Sequence, residues 1–120
     1  MDYNCELSAW HATGLRIAVW WSGGESAAFL QAHGWDACRF PIVVDSDAAE
    51  VGRSVAGTGQ IIRGLDWLRA NPVDIILVPC EWRAAEVMKE LYRARISYEG
   101  ILIPQEGRLV DFHAAEVMLT

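Results

Sequence analysis

A chain of 120 residues that is 52% hydrophobic and 22% charged is sized for one domain with a real core, and it excludes a disordered chain. The formal charge of −6 and a pI of about 4.9 exclude general attraction to nucleic acid, because the basic residues show no run interleaved with aromatics. No apolar run approaches the ~20 residues that span a bilayer. The N-terminal MDYNCELSAW has no basic region ahead of an apolar stretch. The expected setting is therefore the cytoplasm, with neither nucleic acid nor membrane as a partner.

Residues 3–13 read as a short helix with Leu7, Trp10 and His11 near one face, stopped by Gly14. The β-branched and aromatic run Leu15 to Trp21 predicts a mostly buried first strand. Ser22-Gly23-Gly24 leads into a helix from Glu25 to His33, closed by Gly34. Phe40 to Asp45 is a second strand, with Pro41 at its start, where proline is tolerated. Residues 46–60 carry Gly52, Gly57 and Gly59 without periodicity and read as a long loop, a feature that is often functional.

Ile61-Ile62 is a short extended piece, and Leu65 to Ala70 is a helix stopped by Asn71-Pro72. Val73 to Val78 is a third, fully buried strand. Trp82 to Arg95 is a helix whose apolar stripe is Val87, Met88 and Leu91. Tyr98 to Ile103 and Arg108 to Phe112 complete the strands, and 113–120 is a tail, helical or disordered. The βαβ alternation predicts a mostly parallel sheet of four to five strands between two layers of helices. Its core is expected from Ile17, Val19, Ile42, Val44, Ile75, Leu77, Ile101 and Ile103.

Cys5, Cys38 and Cys80 are odd in number and widely spaced, which suits reduced thiols better than disulfides. No CxxC or HxxxH pair suggests a metal site. The first strand–helix turn, Ser22-Gly23-Gly24-Glu25-Ser26, is either a phosphate cradle or a capped structural turn. Its glycines are adjacent, Ala27 fills the later glycine position, and Glu25 puts a negative charge where a pyrophosphate would sit. Asp45 follows Gly23 by 22 positions, near the ~20-residue offset of a ribose-binding acid, and is otherwise a loop cap.

Arg53 is either a bidentate anion ligand or a solvated loop arginine. Trp82 follows the third long strand, at the sheet edge where open α/β folds bind ligands, and reads as a stacking platform or a packing contact. Six tryptophans are many for this length, so part of the set is expected to form a contact surface.

Several motifs occur in order: Val44-Asp45-Ser46-Asp47, Val51-Gly52-Arg53, Ala56-Gly57-Thr58-Gly59-Gln60, Trp82-Arg83-Ala84-Ala85-Glu86-Val87 and Gly100-Ile101-Leu102-Ile103-Pro104. This series resembles the Rossmann-like C-terminal domain of S-adenosylmethionine-dependent sugar C-methyltransferases over residues 15–112. It departs from that pattern at Ala56, where the family has proline, and at Arg83, where it has asparagine. The resemblance implies an accessory domain that holds a nucleotide-sugar-like substrate. Ser22, Gly23, Gly24, Asp45, Arg53, Gly57, Thr58 and Trp82 would line its crevice.

By the same resemblance no cofactor belongs to this chain. S-adenosylmethionine would sit in a separate catalytic domain, so the chain is expected to be a fragment or a free-standing relative that is not catalytic alone. Two other readings stand beside this one. The first is an interaction or oligomerisation domain with a vestigial pocket, with a homodimer as one such assembly; the second is a small NAD-dependent oxidoreductase.

Overall fold

The computed structural model describes residues 14–21, 23–32, 42–55, 58–105 and 108–112. The predicted helix over 3–13, the start of the second strand, Ser22, Gly57 and the tail lie outside the described residues. The elements follow in order: β1 (Ile17–Trp20), α1 (Gly24–Ala32), β2 (Ile42–Val44), β3 (Ile62–Arg63), α2 (Leu65–Ala70) and β4 (Ile75–Leu77). A 3-10 turn (Glu81–Arg83), α3 (Ala84–Arg93), β5 (Gly100–Gln105) and β6 (Arg108–Asp111) complete them.

The strands form one six-stranded sheet in the order β3-β2-β1-β4-β5-β6. Every neighbouring pair is parallel except β5 with β6, which run antiparallel. This is a three-layer, mostly parallel Rossmann-like architecture, with one strand more than the expected four to five. The additional strand is the short extended piece, which pairs in parallel with β2 through Val43↔Ile62 and Val44↔Arg63.

Chain direction across the sheet explains the layers. The steps from β1 to β2 and from β2 to β3 go one way and those from β3 to β4 and β4 to β5 go the other, so right-handed crossovers place α1 and the pair α2 and α3 on opposite faces. Leu30 of α1 packs with Ile17, Val19, Val43 and Leu77 on one face. Leu68 of α2 and Val87 and Leu91 of α3 cover Ala18, Trp20, Val44, Ile76 and Ile101 on the other. Central strands covered on both sides must be apolar at every position, which accounts for the continuous runs in the sequence. The expected core residues are all on the sheet, with Ile42 and Ile75 half-buried and the other six buried.

The described residues between 46 and 60 are more regular than a long loop. Asp47 opens a single helical turn, its carboxylate accepting from the Ala49 N–H at 2.9 Å and its carbonyl from the Glu50 N–H at 3.0 Å. The chain then folds back as a small antiparallel hairpin. The Val55 N–H donates to the Gln60 carbonyl at 2.8 Å, the Ile62 N–H to the Arg53 carbonyl at 2.9 Å, and Ser54 bridges Ile61. Buried Val55 joins Leu30 in covering the α1 face. The glycine-rich composition hid this hairpin because its two arms are too short to show an alternation.

Strand β5 runs past the end of β4, whose last paired residue, Leu77, faces Leu102. Pro104 lies in that extension, beside β6 alone, so its missing N–H removes no bond to β4.

Candidate functional site

The order of strands reverses between β1 and β4, and in open α/β sheets ligands bind outside the carboxyl ends at such a point. Three loops meet there: the β1–α1 turn, the segment after β2, and the turn after β4. The register Trp20↔Val44 aligns the first two, and the Trp21 N–H donates to the Val44 carbonyl at 2.7 Å. The turn and Asp45 are thereby held side by side.

Gly23 has φ +70, a conformation that strains any side chain with a Cβ, yet a Cβ built there meets nothing within 4 Å. The glycine is required by the backbone angle, and the space beside it is open. Gly24 is the first residue of α1, and the helix is tied back to β1 by the buried Ser26 hydroxyl, which donates to the Trp20 carbonyl at 3.0 Å. The amides at the start of α1 therefore face the carboxyl edge with the positive end of the helix dipole.

Two clefts flank the turn at 47–52. One, of about 330 Å³, is lined by Trp21, Gly23, Ala27, Glu50, Arg53 and Ser54, with Ile62 at its floor. It brings together the predicted residues Gly23 and Arg53. Arg53 is not a free anion ligand, because its guanidinium meets the Glu50 carboxylate at 2.8 Å. A phosphate entering here competes with Glu50 for Arg53.

The other cleft, of about 480 Å³, is lined by Asp45, Ser46, Val51, Gly64, Asp66 and Trp67, among others. Asp45 is 9% exposed, and burial raises its carboxyl pKa above the ordinary 3.8, opposed by the N–H groups of Asp47 and Ser46. The Asp47 N–H donates to Asp45 Oδ1 at 3.2 Å. The Ser46 hydroxyl donates to Glu90 Oε1 on α3 at 3.1 Å, which ties this corner to the α3 layer. Arg63 lies over the Trp67 ring at 5.3 Å and braces the far wall. With two carboxylates and no free cation among its lining residues, this cleft suits a hydroxyl-rich ligand rather than a phosphate.

Thr58 points inward on its own hairpin, its hydroxyl donating to the Val55 carbonyl at 3.4 Å, and it lines neither cleft. Ser22 and Gly57 lie outside the described residues. Trp82 stands on the turn after β4, at the carboxyl edge as expected, and is 72% exposed. It lines neither cleft but rises across the switch point from the β1–α1 turn, since β4 is the other neighbour of β1. Arg83 beside it reaches Glu86 at 3.8 Å. Among the described tryptophans, Trp20 is fully buried, Trp21 and Trp67 are half-buried, and Trp82 alone is exposed.

Sequence reasoning missed Gly64, Asp66 and Trp67 as a cleft wall. The segment after β3 opens on the same edge as those after β1 and β2, so the signal was there once β3 counted as a strand. Among the described residues no group of three or more His, Cys, Asp or Glu could hold a metal ion. No helix there is long and apolar enough to cross a membrane.

No family model and no curated protein matches this chain. Among solved structures it is similar to RSP, a Rex-family repressor, at 13% identity and a TM-score of 0.46, over 93% of this chain and 62% of that one. It is also similar to RSP in complex with β-NADH at 15% identity and a TM-score of 0.45, over 98% of this chain and 63% of that one. The chain thus spans under two-thirds of the length of either. Strand order and register, rather than likenesses of this size, carry the fold.

Proposed function

We propose that this domain binds a nucleotide across the carboxyl edge of its sheet, with sugar hydroxyls on Asp45 and phosphate toward the start of α1. One observation carries this reading: the Trp20↔Val44 register, closed by the Trp21–Val44 bond, sets the glycine turn beside a buried acid next to the switch point. A carboxylate accepts two hydroxyl hydrogens where a phosphate would be repelled, and helix amides do the reverse. The two clefts on either side of the 47–52 turn divide the ligand accordingly.

The resemblance to the sugar C-methyltransferase domain narrows the ligand to a nucleotide-sugar held for chemistry in another domain. The glycine turn followed by an acid 22 positions on supports instead a nicotinamide dinucleotide. Both share the nucleotide, and titration separates them.

Calorimetric titration with a uridine diphosphate sugar, with NAD and with AMP is the test. Saturable binding by one of them, weakened about tenfold by Asp45→Asn through loss of a charge-assisted hydrogen bond, is the expected result. No heat at millimolar nucleotide, or full affinity in Asp45→Asn, removes the reading. A stable dimer in light scattering with no nucleotide binding would replace it with an interaction domain.

A further inference from the structure

The corner where α3 passes into β5 lies at the amino edge of the parallel strands, opposite the nucleotide crevice. Two adjoining depressions share Tyr92, Arg93 and Ile96 there. Met88 and Tyr98 give the first, of about 490 Å³, an apolar floor continuous with the core. Tyr92 is 84% exposed, a large apolar surface left in water.

Around it stand Lys89, Arg93 and Arg95, all exposed. Among the described residues these three have no ion pair, whereas Arg53, Arg69 and Arg83 each have one. The acids of α3 turn elsewhere, Glu86 to Arg83 and Glu90 to Ser46. A net charge of −6 makes three unpaired cations within seven residues a local reversal of sign. The sequence did not show this as a cluster; helical spacing brings Lys89 and Arg93 onto one face, and the turn adds Arg95.

The ordinary reason for cations at a helix end is to cap it, and here that role is filled. Arg69 donates from Nε at 3.0 Å and Nη2 at 2.7 Å to the Ala94 carbonyl at the end of α3. The last turn closes by itself, with the Ile96 N–H donating to Leu91 and the Arg95 N–H to Tyr92. That closure puts Arg95 at φ +57, the only non-glycine among the described residues with positive φ. Glycine is the unstrained residue at this position, so the arginine is held against a backbone preference.

We infer that this corner docks a short acidic peptide segment of a partner protein that also carries an apolar residue. The apolar residue sits against Met88, Ile96 and Tyr98, and its flanking carboxylates meet Lys89, Arg93 and Arg95. A peptide fits better than nucleic acid, because a long polyanion following the groove meets the field of a chain with an excess of acids. Because it lies on the opposite edge of the sheet, the site does not depend on the nucleotide reading.

The test is fluorescence polarisation of the full chain with a short labelled peptide alternating glutamate and leucine, beside a lysine–leucine peptide and a labelled oligothymidylate. The glutamate peptide alone should bind saturably, and more weakly as salt rises. Arg93→Glu should lower its affinity about tenfold, and Tyr92→Ala severalfold. Arg95→Gly should raise the melting temperature while weakening the peptide about threefold, a combination that a purely structural arginine would not give. Absence of saturable binding, unchanged affinity in Arg93→Glu and Arg95→Gly, or binding of the oligothymidylate in preference to the peptide would overturn the assignment.

Discussion

The carboxyl edge and the α3–β5 corner both reverse the chain through a left-handed residue, but they use different side chains to do so. At the carboxyl edge the positive φ values fall on Gly23 and Gly52; at the α3–β5 corner the same conformation falls on Arg95. A glycine in this conformation is unstrained and leaves the surface beside it bare, which suits a backbone that a ligand approaches closely. An arginine there gives up on the order of 1 kcal/mol in strain and keeps a charge. The difference separates a site built from backbone and a buried acid from one built from exposed side chains.

The largest expected contrast tests how deeply each region is rooted. Trp20 is fully buried at the end of β1, in the core beneath α2 and α3, so Trp20→Ala should destabilise by about 3–5 kcal/mol in chemical denaturation. Its indole N–H has no hydrogen-bond partner among the described residues, so Trp20→Phe should be much milder. Tyr92→Ala at the opposite corner should change stability by less than about 0.5 kcal/mol. Equal effects would mean that Tyr92 is part of the core.

Asp45 gives the next contrast, through pH. Burial raises its proton affinity in the folded chain, so its contribution favours folding below the ordinary 3.8 and fades as pH rises through the folded value. At neutral pH the buried carboxylate therefore opposes folding. Asp45→Asn should melt a few degrees higher than the parent at neutral pH, and the gap should close in thermal scans below pH 3.8. A gap that widens in acid would show that the N–H donors of Ser46 and Asp47 outweigh burial.

The backbone comparison itself can be reversed. Gly23→Ala, which meets no atoms but must hold φ +70, should cost about 1 kcal/mol. Arg95→Gly should gain about 0.5–1 kcal/mol by equilibrium unfolding. A loss in Arg95→Gly would mean that the arginine is held for stability and would remove the ground for assigning its charge a use.

The smallest effect is expected at Glu50. Freeing Arg53 by Glu50→Gln removes an exposed pair and should alter stability by less than about 0.5 kcal/mol. Affinity for a phosphate-bearing nucleotide should rise severalfold in titration, because Arg53 no longer has to leave a carboxylate to meet it.

Periodicity and punctuation in the sequence were enough to place β1, β2, β4, β5, α1 and α3 in order and to predict a parallel sheet with helices on both faces. Strands covered on both sides cannot conceal their apolar runs, and helix ends are marked by local chemistry. That Gly23 and Asp45 stand side by side at the carboxyl edge was legible for the same reason, since a βα turn and the acid one strand later stand at a fixed separation along the chain.

What the sequence could not show depends on pairs far apart in it. Ile62-Arg63 is too short to signal a strand and becomes one only by pairing with β2. The neutralisation of Arg53 follows from the turn that folds Glu50 back over three residues. Trp67 enters a cleft wall because β3 lies beside β2. Arg95 took its conformation from the closure of α3, and Arg69 reached that helix end from 25 residues away. Local propensity writes the elements, but the state of each charge is decided by which neighbour the fold brings within hydrogen-bonding distance.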